Sequence, residues 1–149
     1  HGVEDLLRVD AREQGAAIHL DLADGLPAVS ADLIQLQQVV LNLAHNGMEA
    51  MAGCSSSQRH LAIQTSVVPG GAIEVAVRDT GHGIPAENLT RIFDPFFTTK
   101  ASGLGMGLAI SRSIVEAHGG RLWATSNEGG GAVFRITLPG AQEIRSDDR

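Results

Sequence analysis

The chain has 149 residues and a net charge of −6, with 43% hydrophobic and 19% charged residues, a balance that fits one globular domain and excludes a disordered or coiled-coil chain. No run of about 18 apolar residues offers a membrane span, and no secretory leader is visible, so a cytoplasmic setting is expected. The single cysteine, Cys54, allows no intrachain disulfide, and 11 basic residues scattered singly argue against nucleic acid as a partner.

Val3, Leu6 and Leu7 predict a helix over residues 3–14, stopped by Gly15. Ile18, Leu20 and Leu22 alternate as a strand, and Asp24-Gly25-Leu26-Pro27 reads as a turn. Ser30 is a candidate cap for a long helix to about residue 52, with Leu33, Leu36, Val40, Leu43 and Gly47 as its core stripe. Gly53 would end it, and residues 55–58 form a polar loop. Two alternating segments follow, 61–67 and 73–77, joined through a hairpin turn at Pro69-Gly70-Gly71.

Beyond them come glycine-punctuated loops, a short helix near residues 87–92 and a helix over about 106–118, closed by Gly119-Gly120. Strands are expected around Leu122 and Ala124, and again through Phe134, Ile136 and Leu138, with Gly129-Gly130-Gly131 turning between them. These elements sum to an α+β fold, a two-layer sandwich in which a mixed, mostly antiparallel sheet of about five strands carries three main helices on one face. One domain is expected over residues 1–140, with a polar tail over 141–149.

Four places carry possible chemistry. Ile73, Val75 and Val77 share the core-facing register, and the period of two puts Asp79 next in it. A carboxylate there needs donors. It serves either as an acceptor for a buried ligand N–H, such as an adenine amine, or as a turn cap at a strand end. Asn42 and Asn46 lie one turn apart on a stripe extended by Glu49; as weak helix formers they suggest Mg²⁺ ligation through amide oxygens, against a merely solvated polar face.

Gly103-Leu104-Gly105-Met106-Gly107 opens a helix, where free backbone N–H groups and the positive helix end suit phosphate; a flexible hinge is the alternative. Phe93, Phe96 and Phe97 crowd a segment without strand or helix period, either as a lid over a ligand or as a satellite core under a loop. Lys100, the one lysine, stands next to the glycines and could reach a terminal phosphate or simply be solvated. His19 and His60 fall at strand-surface registers, and His118 suits a helix C-terminus. His45 neighbours the asparagines and His82 lies in the turn, so either could contact a ligand, though neither shows a catalytic carboxylate, serine or cysteine at motif spacing, and Cys54 has no sequence-level activator.

Taken in order, these segments resemble the boxes of sensor histidine kinases. Residues 42–51 (Asn-Leu-Ala-His-Asn-Gly-Met-Glu-Ala-Met) resemble the N box, and residues 79–85 (Asp-Thr-Gly-His-Gly-Ile-Pro) the G1 box. Residues 92–100 (Ile-Phe-Asp-Pro-Phe-Phe-Thr-Thr-Lys) are similar to the F box, in the form found in oxygen-sensing and nitrogen-regulatory kinases. Residues 103–108 are similar to the G2 box, and Gly131-Ala132-Val133-Phe134 sits where a last glycine box would fall. The resemblance spans about residues 32–138.

It implies the catalytic ATP-binding domain of a two-component histidine kinase, with the Bergerat-type fold of the GHKL superfamily and ATP and Mg²⁺ as cofactors. Asp79 would bind the adenine amine, with Gly81, Gly83 and Ile84 shaping the base pocket and Ile110 backing it. Asn46 would hold Mg²⁺, assisted by Asn42. Residues 93–102 would be the ATP lid, Lys100 a γ-phosphate contact, and Gly103, Leu104, Gly105, Met106, Gly107 and Leu108 would meet the phosphates or line the pocket.

The implied partners are a histidine-bearing dimerisation domain of the same kinase and a response regulator downstream. The isolated domain is expected to be a monomer without direct membrane contact, its parent either free or membrane-anchored. Departures are also visible: Gly47 where alanine is commoner, Glu49 where many such kinases carry a phosphate-binding lysine, and Ala132 in place of a threonine. No phospho-accepting histidine is found, and His1 lacks the helical flanks of one. A serine kinase or ATPase of the same superfamily, or a nucleotide-free interaction module, are the alternatives; the Phe-rich lid fits the former poorly, and intact Asp79, Asn46 and glycines argue against the latter.

Overall fold

The computed structural model describes residues 2–13, 15–21, 33–51, 59–81, 83–89, 91–94, 107–126 and 130–139. In chain order the elements are α1 (Gly2–Glu13), β1 (Ala17–Asp21), α2 (Leu33–Ala50), β2 (His60–Val67), β3 (Ile73–Asp79), a 3-10 turn (Ala86–Asn88), α3 (Gly107–Ala117), β4 (Arg121–Ser126) and β5 (Ala132–Leu138). One sheet runs in the order β1-β2-β3-β5-β4. Only β1–β2 is parallel; the other three pairings are antiparallel. The expected α+β, two-layer architecture is the one observed.

The strands obey their period of two. Leu61 and Ile63 of β2, Val77 and Asp79 of β3, Leu122 of β4, and Phe134, Ile136 and Leu138 of β5 all turn to the helix side and are buried. There they meet Leu7 and Ala11 of α1, Val39, Leu43, Ala44 and Met48 of α2, and Val115 of α3 in one hydrophobic cluster. Each buried Val, Leu, Ile, Phe or Met side chain among these stabilises the fold by about 1.5–3 kcal/mol. The opposite face mixes buried Ala76 and Val133 with polar groups, Arg135 paired to Glu74 at 3.2 Å and the Arg121 guanidinium 4.6 Å over the Trp123 ring.

Local signals act as expected at the turns. Val68 N–H donates to Ala72 O at 2.9 Å, closing the β2–β3 hairpin around Gly70 and Gly71. Gly119, at φ +78°, ends α3, with Gly120 N–H donating back to Val115 O at 3.0 Å.

Two expectations are corrected. The buried stripe of α2 is Val39, Leu43, Ala44, Gly47 and Met48, continued by Met51 just past its end, while Leu36 and Val40 are only half-buried. The helix packs on α1 and α3 as well as the sheet, which widens its buried face and moves its centre. The short helix near 87–92 is instead a 3-10 turn followed by further turns, because Asn88 O accepts from both Arg91 N–H and Ile92 N–H at 2.9 Å. The Asp24–Pro27 turn, the Ser30 cap, Gly53 and the tail at 141–149 lie outside the described residues. Among the described residues, no helix is long and apolar enough to cross a membrane.

Candidate functional site

The register that carries Ile73 and Val77 into the core carries Asp79 there too, and its side chain is 2% exposed. Its cost of burial is offset by backbone donors. Gly81 N–H donates to Asp79 Oδ1 at 2.8 Å, and Ala132 N–H approaches the same oxygen at 3.4 Å. The two donors come from the turn after β3 and the start of β5, the second of them 53 residues along the chain from Asp79.

Glycines make that arrangement possible. A Cβ on Gly81 would lie 2.5 Å from Ala50 O, at the end of α2. Gly131, at φ +88°, passes so close to the backbone of Asp79 that a Cβ there would clash with the Asp79 carbonyl oxygen. From α2, a Cβ on Gly47 would stand 3.3 Å from Asp79 Cβ and 3.5 Å from Oδ2. The N box helix and the G1 turn therefore meet backbone to carboxylate. Next in the chain, Ser126 Oγ accepts from Ile84 N–H at 3.0 Å and donates to Ile84 O at 2.7 Å, tying the G1 segment to the end of β4.

The asparagines are half-buried on α2. Asn42 Nδ2 donates to Ser111 Oγ at 3.0 Å, and a Cβ on Gly107 would lie 3.0 Å from Asn42 Oδ1. The first turn of α3 thus abuts the first asparagine, with Gly107 leaving it room. Asn46 follows one turn later, immediately before Gly47. His45 Nε2 and Glu49 Oε2 of the same helix are 3.6 Å apart, both partly exposed.

The structure thus brings Asn42 to Gly107 and Ser111, and Gly47 to Asp79 with Gly81. Leu108 and Ile84 are half-buried against the core, whereas Ile110 is 51% exposed, off the buried Ser111–Val115 stripe. Lys100, Gly103, Leu104, Gly105 and Met106, like Phe96, Phe97 and His82, lie outside the described residues. Phe93, where the segment read as a lid begins, packs in the core: it is buried, edge-on to Phe134 at 6.3 Å between ring centroids, with the Arg112 guanidinium 5.5 Å above it. A ring this large, next to the half-buried Ile92, gains more from the cluster than from a mobile segment.

Ser111 and Ser126 escaped the sequence reading. Ser111 carried a usable signal, because it shares a helical face with Leu108 and Val115, so a hydroxyl sat at a core register as Asp79 did. Ser126 offered none, since its partner is backbone 42 residues away.

Residues 31–142 match the family of histidine kinase-, DNA gyrase B- and HSP90-like ATPases. The chain is 50% identical over 133 residues to the sensor protein FixL of Bradyrhizobium diazoefficiens, a match spanning 89% of this chain and 26% of FixL. It is similar to the solved catalytic domain of histidine kinase ThkA, with 32% identity and a TM-score of 0.80 over 93% of this chain and 88% of that one. ThkA solved in complex with the response regulator TrrA is similar at 30% identity and a TM-score of 0.77, over 95% of this chain and 39% of that one. The chain belongs to the histidine kinase-, DNA gyrase B- and HSP90-like ATPase family, as a catalytic domain of the sensor histidine kinase kind.

Proposed function

We propose that the domain binds Mg-ATP and donates the γ-phosphate to a histidine on a separate dimerisation domain, from which a response regulator is phosphorylated. The observation that carries this reading is the buried Asp79 carboxylate, steadied by the Gly81 and Ala132 N–H groups at a strand end walled by glycines. A carboxylate so placed is an acceptor for the exocyclic amine of adenine. Gly81, Gly83 and Ile84 would shape the pocket around the base.

The amide oxygens of Asn42 and Asn46 suit Mg²⁺, a hard cation that takes oxygen ligands and keeps several waters. Both side chains are half-buried on one face of α2, and Ser111 holds the Asn42 amide by its nitrogen. When bound, the ion would neutralise phosphate charge. The protein's share of the chemistry is positioning: the base at Asp79, the phosphates at Gly103, Gly105 and Gly107 with Leu104, Met106 and Leu108 beside them, and the terminal phosphate at Lys100. A net charge of −6 is compatible with this, because backbone N–H groups, one lysine and the ion replace a basic field.

The test is calorimetric titration with ATP and ADP, each with and without Mg²⁺, followed by addition of a histidine-bearing dimerisation domain and radiolabelled ATP. Tighter ATP binding with Mg²⁺ and label on histidine are the expected results, and Lys100→Ala should weaken ATP more than ADP. No nucleotide binding by folded protein, or label on serine, would overturn the reading.

A further inference from the structure

On the sheet face opposite the helices, His19 of β1 and His60 of β2 stack, with ring centroids 5.4 Å apart and planes inclined by 25°. His19 Nε2 and His60 Nδ1 are separated by 3.2 Å, and both side chains are exposed. The parallel register explains the meeting. Ala17 lies opposite His60 and His19 opposite Ala62, so the two histidines are diagonal neighbours on one face. Without an ion, one neutral ring can donate its N–H to the other.

That spacing also suits two imidazoles on one cation. At metal–nitrogen distances of about 2.0–2.1 Å, two ligand nitrogens stand about 2.9 Å apart at a right angle and about 3.3 Å apart at a tetrahedral one. The observed separation falls between these limits. The backbones that present the rings are also held in place: β1 pairs with β2 from Ala17 to Asp21, and His60 N–H donates to Thr80 Oγ1 at 3.1 Å. Thr80 Oγ1 in turn donates to the buried Met51 Sδ at 3.2 Å. An ion would then need to orient only the two rings, since their backbones are already ordered.

We propose that His19 and His60 form a binding site for one late first-row divalent cation, Cu²⁺, Ni²⁺ or Zn²⁺, which clamps the edge strand β1 to β2. Imidazole nitrogens suit these ions, with Cu²⁺ bound most tightly. Among the described residues no group of three or more His, Cys, Asp or Glu side chains could hold a metal. With two protein ligands, the rest of the coordination falls to water, as in weak, exchangeable sites rather than structural four-ligand ones. β1 is bonded to the sheet along one side only, so an ion bridging it to β2 stabilises the folded chain by mass action. The site is separate from the nucleotide reading and stands or falls without it.

The test is titration of the whole chain with Ni²⁺ and with Cu²⁺ by calorimetry, alongside thermal melting with and without the ion. One ion bound per chain and a raised melting midpoint are expected. His19→Ala and His60→Ala should each weaken Ni²⁺ binding by at least about tenfold, the loss that even an outer-shell deletion causes at a metal site. Both positions are exposed, and circular dichroism would verify that the variants fold. His45→Ala, which removes the separate His45–Glu49 pair on α2, should bind as the wild type does. No binding at millimolar ion, wild-type affinity in His19→Ala, or loss of binding in His45→Ala would each overturn the proposal.

Discussion

The side-chain nitrogen of Asn42 donates to the buried hydroxyl of Ser111 at 3.0 Å, joining α2 to α3 across 69 residues of sequence. Because the nitrogen is occupied by Ser111, the orientation of the whole amide is set, oxygen included. Ser111 is 3% exposed, so the bond is shielded from water on the serine side. It couples α2, the helix of Asn42 and Asn46, to α3.

Ser111→Ala should therefore act twice. Stability should fall by about 1 kcal/mol for the lost hydrogen bond. Affinity for ATP with Mg²⁺ should fall several-fold as the amide is released, while ATP without Mg²⁺ is less affected. Urea melts and calorimetry read the two effects apart. Unchanged Mg-ATP affinity would show that Ser111 is structural only.

Asp79→Asn keeps an oxygen for the Gly81 N–H but puts a donor where the second carboxylate oxygen stood. Loss of a hydrogen bond to a charged acceptor costs about 1.5–3 kcal/mol, so ATP and ADP should each bind at least about tenfold more weakly. Equal losses for both nucleotides are expected, since the base is common to them. Competition binding with adenosine checks this directly.

The two glycines beside Asp79 should respond differently to alanine. At Gly47 the new Cβ would press on Leu61 Cδ1 at 2.9 Å, the end of a side chain that can give, and the helix would gain about 0.5–1 kcal/mol in propensity. Gly47→Ala should change stability by no more than about 1 kcal/mol. At Gly81 the neighbour is backbone, Ala50 O at 2.5 Å, so Gly81→Ala should cost more than about 2 kcal/mol. Denaturant midpoints for the pair decide it.

Phe93→Ala should destabilise the fold by about 3 kcal/mol or more, because it empties a buried ring site against Phe134. A residue of the lid would instead leave the melting midpoint unchanged and alter only nucleotide affinity. Thermal melting without nucleotide separates core from lid.

Much of the architecture was legible along the chain. Strand alternation located β2, β3 and β5, glycine and proline marked the hairpin after Val67, and the period of two placed Asp79 in the core before any contact was known. The order of the asparagine and glycine segments pointed to the family to which the chain belongs. Of the two readings of the phenylalanine cluster, Phe93 fits the core one, though it packs with the main core rather than with a satellite under a loop.

What the sequence determined by itself is whatever depends on near neighbours: helix and strand period, turn chemistry, and which side chains share a face. Tertiary structure alone decided the strand order, the parallel seam of β1 with β2 that brings His19 to His60, the Asn42–Ser111 bond and the approach of Gly131 to Asp79. Periodicity arises from backbone geometry over a few residues, so it can be read locally. Contacts across 40 to 70 residues depend on how whole faces pack and on which backbones come close, and no local pattern encodes that distance.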